Sequence, residues 1–459
     1  MSDNKSNTAQ VTGRVLIFGD LVLDAPLLIG AGDGGDDRSA DEDIRVLKGK
    51  EGPFIPGTSL CGVLREFLRT HEGKRAADIL FGKIDEGQSM IAIGDVPLTN
   101  AKIITRDGVK IDGVTGVGVD GAKYDYEAVD RGASGPFRLI VTRRQCHKEI
   151  WNEIYDNLLL LREKMMDGIS LGAITAKGFG KVHAENVRSG LYDFSKKDDV
   201  RSWLAQKDPA PEKASDLMEG KTGKSLNGAN ELVVEADFAL RTSIIVRDYG
   251  RREPLPDSKE EKDFDAVSIM SDGRYVLPGT SLKGVLRHHA EHILQRLGLD
   301  DSFLNDLMGF STDEEKKKSR FQVEESLLEE NVHSVGQTRV RIDRFTGGAI
   351  DSALFNSQPL WQKEDGTAFL LRFRIKDAQP REIGLALFLL RDLWQGRVAI
   401  GGEKSVGRGT LQGLGSKIKF NEETYRFDKN GSLTEGSLDE LQEKYVKAFL
   451  SGKKKEATK

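Results

Sequence analysis

Two short acidic runs, Asp41-Glu-Asp43 and Asp263-Phe-Asp265, each stand in a loop ahead of the same sequence, PGTSL, at Pro56 and Pro278. A carboxylate beside phosphate suits metal-assisted phosphodiester chemistry; the alternative is a solvated acidic loop. PGTS supplies the phosphate side, because a Pro-Gly turn opens a helix whose first N–H groups lack intrahelical partners and attract anions. Ser59 and Ser281 sit in that first turn, followed by Lys283 in one place and Cys61 in the other. Arg65 and Arg287, one turn on, could reach a second phosphate. Gly62 and Gly284 each cost about 1 kcal/mol relative to alanine in a helix, which implies close packing against the backbone there. An ordinary capped helix remains the alternative for all of these.

Two glycine-rich loops, Gly172–Gly180 and Gly401–Gly409, carry Lys177, Lys181, Lys404 and Arg408. Glycines interspersed with cations let backbone amides follow a phosphate chain, although a tight β-connection would need the same glycines. Ile111-Asp112-Gly-Val-Thr-Gly116 and Ile342-Asp343-Arg-Phe-Thr-Gly347 end strands, the second with Arg339, Arg341 and Arg344 around Phe345. Arginine beside an aromatic fits stacking and backbone contact with single-stranded RNA; a structural turn is the other reading.

These features come in pairs because the chain repeats itself. PFIPGTSLCGVLR at 53–65 matches YVLPGTSLKGVLR at 275–287, an offset of 222. LFG at 80–82 pairs with LMG at 307–309, KIDGVTG with RIDRFTG, and LGAITAKGFGKV at 171–182 with IGGEKSVGRGTL at 400–411. All four keep their order at offsets of 222 to 231. This places one domain in 1–195, a linker in 196–229, a second domain in 230–435 and a tail in 436–459. In each copy a β-rich start precedes the PGTS helix, with Leu60, Val63, Leu64, Phe67 and Leu68 on one face in the first and Leu282, Val285, Leu286, Ile293 and Leu294 in the second. Thr58 or Ser59 and Thr280 or Ser281 are ready N-caps. A second helix spans 151–166 and 381–394. Strands alternating with two helices predict an α+β, ferredoxin-like β-α-β-β-α-β core, a shape shared with RNA-recognition modules.

Other motifs are weaker. GxGxxG occurs at Gly30–Gly35 and Gly116–Gly121 with no helix after it, as a dinucleotide site would require. MEGKTGKS at 218–225 lacks the first glycine of a phosphate-binding loop. His288-His-Ala-Glu-His292 fits a zinc-peptidase pattern, but the first copy has no counterpart, and a polar helix face explains it. Lys316–Lys318 reads as a solvated loop, and Cys61 and Cys146 as small buried or half-buried residues.

Composition narrows the class. Among 459 residues, two cysteines exclude a disulfide framework, and no apolar run approaches a membrane span. The polar start MSDNKSNTAQ has no secretory pattern, so a soluble cytoplasmic protein is expected. A net charge of −5 counts against nucleic-acid binding unless basic and acidic surfaces are segregated, and 50 glycines against 12 prolines imply many special backbone positions.

PGTSLKGVLR, the IDxxTG turn and the late glycine-rich loop, in this order, resemble the RAMP superfamily of CRISPR effector proteins. More narrowly they resemble the backbone subunits of type III effector complexes, over nearly all of both copies. The resemblance implies two tandem ferredoxin-like domains, modified from the RNA-recognition motif, with inserted loops and thumb hairpins. It implies partners: a CRISPR guide RNA, a complementary target RNA and other effector subunits, with no membrane. Subunits stack along the guide, a thumb flips a guide base, and an aspartate before the PGTS helix cuts the target opposite. Carried over by position, that aspartate is Asp41, with Asp43 beside it, and Asp263 or Asp265. Asp33, Asp36 and Asp37 leave the choice open in the first copy. The expected endoribonuclease chemistry is attack by the RNA's own 2′-hydroxyl, with a divalent ion, Mg2+ or Mn2+, held by Asp41 and Asp263. A non-catalytic guide-binding scaffold is the alternative. A guide-processing nuclease would need histidine, and only His147 suits.

Overall fold

The computed structural model describes residues 10–31, 44–83, 87–113, 115–206, 222–226, 228, 230–256, 262–311 and 315–452. The chain forms two compact units, each with a ferredoxin-like α+β core.

The first unit takes Met1–Ile104, Glu127–Thr175 and Phe179–Gly228. Its elements are β1 (Val11–Leu23), α1 (Gly57–Phe81), β2 (Ile91–Ile93), a hairpin of β3 (Ile103–Ile111) and β4 (Gly118–Val129), β5 (Ser134–Arg144), α2 (Trp151–Asp167), β6 (Ile169–Ser170) and β7 (Lys181–Asp193). The antiparallel sheet runs β2-β5-β1-β7-β6. Leu60, Leu64 and Leu68, four residues apart, bury one face of α1 completely. Ile154, Leu158, Leu161 and Met165 do the same for α2. Gly73, at φ +86°, interrupts α1 near the middle. Order continues past residue 195: a helix at Lys197–Leu204 sets Trp203 edge-on to Tyr192, with Arg14 over its ring.

The second unit contains β8 (Leu232–Leu240), β9 (Ala266–Ser268), α3 (Gly279–Leu297), α4 (Ser302–Met308), β10 (Phe321–Val323), a hairpin of β11 (Gln337–Ile342) and β12 (Ala349–Gln358), β13 (Phe369–Ile375), α5 (Pro380–Trp394), β14 (Leu411–Phe420), β15 (Glu423–Phe427) and β16 (Leu433–Glu435). Its sheet runs β10-β13-β8-β14-β15-β16, repeating the first unit's order over four strands and placing β15 and β16 where the first sheet has β6. Strand β8 buries alternate residues, Leu232, Val234, Ala236, Phe238 and Leu240, as a one-sided strand must. Phe238 stacks on Phe369 and Phe321 on Phe373 inside the core.

This unit also takes Thr105–Tyr126 and Ala176–Gly178, so the body of the first copy's hairpin and the tip of its glycine loop are built into it. Arg106 lies 3.7 Å from Glu325, both buried, and Lys123 sits over Tyr249. A Cβ on Gly113 would come within 2.8 Å of His288.

Residues 438–450 correct the expected tail. Ser437 accepts the Glu440 N–H, and the turns that follow bury Leu441, Tyr445 and Phe449 at i, i+4 and i+8. Gly384 of α5 makes room, since a Cβ there would stand 2.4 Å from the Tyr445 carbonyl oxygen. Phe449 is 2% exposed and packs on Phe388 at 5.2 Å. Phe449→Ala is therefore expected to destabilise the second unit by about 3–5 kcal/mol in urea unfolding. A loss below about 1 kcal/mol, typical of a surface change, would make this segment peripheral.

Candidate nucleic-acid interface

The IDxxTG segments form the hairpin tips. Asp343 Oδ1 accepts the N–H groups of Phe345 and Thr346 at 3.0 and 2.7 Å and the Thr346 hydroxyl at 3.0 Å. Asp112 accepts the Thr115 N–H and hydroxyl at 2.7 and 2.8 Å. Gly116 and Gly347 close the turns at φ +70° and +69°. The Thr346 N–H and hydroxyl and the Phe345 N–H hold the Asp343 carboxyl below its ordinary value. The aspartates thus shape the turn, and in the second copy the turn displays Phe345, 99% exposed, next to an exposed Arg344. Arg339 points back instead, pairing with Glu403 at 2.6 Å and stacking on Phe355.

The helix starts differ from expectation in three ways. The N-caps are Pro56 and Pro278, with no side-chain cap, rather than the threonines or serines. The Gly57 N–H is taken by Asp95 at 2.8 Å and the Ser59 N–H by the Pro56 carbonyl, so the first copy's helix end is largely satisfied within the chain. Nothing lies within 4 Å of a Cβ built on Gly62 or Gly284, so the close packing expected there is absent from the described residues. The glycine that close approach does require is the one after the proline. A Cβ on Gly57 would meet the Ile93 carbonyl oxygen at 2.3 Å, and one on Gly279 the Lys177 carbonyl oxygen at the same distance.

Ser281, Lys283, Arg287 and Lys177 come together at the start of α3. Lys283 is 6% exposed and donates to Ser319 Oγ at 2.6 Å. Burial and the charges of Lys177 and Arg287 push it down to about 7. Arg287 donates to the Gly309 carbonyl, Asn305 and Glu291 at 2.6, 2.8 and 3.2 Å. Its counterpart Arg65 pairs with Asp78 at 3.1 Å. Ser319 is a partner that the sequence pattern did not single out; its match to Ser89, which makes the same pair of backbone contacts, was the available signal.

The glycine loops share one backbone path. Ile174 and Glu403 adopt φ +59° and +56°, a short 3-10 turn follows, and Gly178, Gly180, Gly407 and Gly409 are all left-handed. A β-branched residue at positive φ is strained, which marks the Ile174 turn as held by its surroundings. Lys404 is exposed on the loop, and Lys181 begins β7. Arg408 is a correction. It is 4% exposed and donates to Glu403, Ser243, Ser357 and Gln337, so it holds the loop and has no free face for a phosphate.

Of the acidic loops, Asp41 and Asp43 lie outside the described residues. In the second copy the two aspartates part company. Asp265 accepts the Asn356 N–H at 2.7 Å through its carboxylate and returns its own N–H to the Asn356 carbonyl, tying the loop to β12. Both residues are exposed, and the Asp263 backbone pairs across to Pro254. Phe264, buried between them, fixes the loop.

Remaining motifs resolve structurally. His288 contacts Glu291 and His289 contacts Asp392. Among the described residues no three His, Cys, Asp or Glu side chains gather as a metal site. His147 accepts the Arg144 N–H through Nδ1, and burial and Arg144 lower its basicity, which suits a turn residue rather than a nuclease base. Cys146 is exposed, contrary to expectation. Lys316 and Lys317 form a short strand, and Lys317 pairs with Asp306. Among the described residues no helix is long and apolar enough to cross a membrane.

Duplicated ferredoxin-like cores with hairpins inserted between the second and third strands define the class, and the chain belongs to the RAMP superfamily. The superfamily's sequence pattern matches residues 20–183 and 222–412. Among solved structures the chain is similar to one from a cryo-EM structure of the Type III-B Cmr-beta bound to cognate target RNA. The two are 14% identical, with a TM-score of 0.30, over 39% of this chain and 61% of that one. Comparison with curated proteins found no match.

Proposed function

We propose that this protein is a guide-RNA-binding backbone subunit of a type III CRISPR effector complex, acting with a complementary target RNA and other subunits. The observation that carries the reading is the second hairpin, which holds Phe345 and Arg344 in solvent on an aspartate-braced turn. An aromatic face and a guanidinium without in-chain burial are what stacking on an unpaired base and contacting its phosphate require. Arg344→Ala is expected to weaken binding of single-stranded RNA across sequences and to flatten its salt dependence by about one phosphate contact. Phe345→Ala should weaken binding without changing that slope. Unchanged affinity in both, measured by fluorescence anisotropy from 50 to 200 mM salt, removes the hairpin from the interface.

Within this reading Asp263 is the residue for cleavage in the second copy and Asp41 or Asp43 in the first. Both aspartates are exposed, but Asp265 has one oxygen engaged by the Asn356 N–H. That donor set is too small for a resident cation but fits Mg2+ or Mn2+ completed by water and phosphate oxygens. When bound, such an ion supplies charge stabilisation at the phosphate. Asp263 would hold it, while Asp265 positions the loop against β12. The scaffold reading has its own support: Asp265 is committed to the fold, and no third carboxylate joins the pair among the described residues.

A further inference from the structure

We propose that Lys283 is a proton-linked anion site, taking up a proton as a phosphodiester of single-stranded RNA docks beside it and Lys177. The proposal rests on the RNA-binding reading above and adds a linkage that only the second copy can have, since Cys61 occupies the matching position in the first.

Three cations meet at the start of α3. The loop carrying Lys177 lies against Gly279, its carbonyl oxygen occupying the space a Cβ would need. Lys283 reaches inward to Ser319, which uses one of the three donors of an ammonium group. Arg287, one turn on, is fixed by Gly309, Asn305 and Glu291. Of the neighbouring carboxylates, Glu291 pairs with Arg287 and contacts His288, and Asp306 pairs with Lys317 and Arg320; Glu324 and Glu325, whose backbone lies against Gly178, pair with Arg372 and Arg374 and with Arg106. Among the described residues no carboxylate pairs with Lys177 or Lys283. Lys177 and Lys283 are therefore neighbouring positive charges without a carboxylate partner among the described residues, while Arg287 keeps Glu291.

Burial and the two neighbouring cations push Lys283 to about 7, and Lys177 is shifted in the same direction. An arriving anion reverses the local field and favours the charged form. At pH 7 roughly half of the Lys283 side chains would then gain a proton on binding. The sign follows: affinity falls as pH rises, by roughly tenfold between pH 6 and 8 where only the protonated form binds. A phosphodiester keeps its own charge across this range, so the proton comes to the protein.

The test is calorimetric titration of the full chain at pH 7 with a single-stranded RNA oligonucleotide, in buffers of different ionisation enthalpy. The expected uptake is about half a proton attributable to Lys283. Lys283→Arg should keep the affinity and lose that uptake, because a guanidinium stays charged. Lys283→Met should lose the uptake and weaken binding roughly tenfold, with thermal unfolding confirming a folded chain. A parallel titration with sulfate, which does not titrate near neutrality, separates the two layers. Uptake with sulfate but no RNA binding would support the anion site and overturn the RNA reading. RNA binding whose proton uptake is the same in wild type and Lys283→Arg would overturn the proposal and leave the RNA reading intact.

Discussion

Asp263→Ala, assembled with guide RNA and partner subunits, is expected to lose one of two cuts in the target RNA by a factor of about 10² to 10⁴. Binding should persist or tighten slightly, because removing a carboxylate near phosphates relieves repulsion. The loop should survive the change: Leu255 and Phe264 hold it by backbone bonds to Lys262 and Glu253, and Phe264 anchors it from below. Asp265→Ala should behave differently, loosening the loop from Asn356 and lowering both RNA affinity and cleavage. Asp265→Asn keeps an accepting oxygen and should restore both. The second cut should depend on Asp41 or Asp43. Products should end in a 2′,3′-cyclic phosphate, and chelator should stop the reaction. If no aspartate variant, single or combined, alters cleavage, the scaffold reading stands.

A loss of stability as large as that of Phe449→Ala is expected at the ends of the glycine loops. Gly409 has φ +85°, and a Cβ would stand 2.0 Å from the Ile400 carbonyl oxygen; at Gly180 the values are +70° and 1.8 Å from Leu171. In both places the glycine carbonyl accepts the N–H of the residue it faces, Ile400 or Leu171, so the backbone cannot retreat without losing that bond. Gly409→Ala and Gly180→Ala should each cost about 3–5 kcal/mol, combining left-handed strain with a broken contact. Gly284→Ala is the control. With open space around it and helical dihedrals, it should stabilise the free chain by about 0.5–1 kcal/mol. Denaturant midpoints of the three variants check the contrast; equal destabilisation in all would mean that the loop glycines are not under the constraint described.

Much of this architecture was legible in the residues. The repeat located both cores, because a helix opening on Pro-Gly and a strand pair closing on Gly409 or Gly180 leave few alternatives for those positions. The repeat placed α2 and α5 to within a residue, and the leucine stripe found the first half of α1 but not its continuation to Phe81. What escaped were features decided by distant neighbours. Nothing local in Arg408 distinguishes a loop cation facing solvent from one buried against Ser243 and Ser357. Asp263 and Asp265 look alike in sequence, and only the pairing of the loop with Asn356 separates them. The closing helical segment was legible in principle, since Leu441, Tyr445 and Phe449 keep a helical period, but its charged surroundings masked the stripe.

The placement of Thr105–Tyr126 in the second unit has a consequence for how the chain is made. The first sheet can close as soon as β7 has been synthesised, because β1, β2, β5 and β7 all precede residue 194. The hairpin body emerges earlier but must wait for Tyr249, His288 and Glu325 before Lys123, Gly113 and Arg106 acquire their neighbours. Its contacts are among the most sequence-distant in the molecule, the kind that form late and slowly. During that interval a strand pair with exposed Val109, Ile111, Val117 and Val119 travels on a nascent chain without its final surroundings. Synthesis from the N-terminus thus makes the first copy's hairpin the segment most in need of protection from aggregation before the second copy arrives.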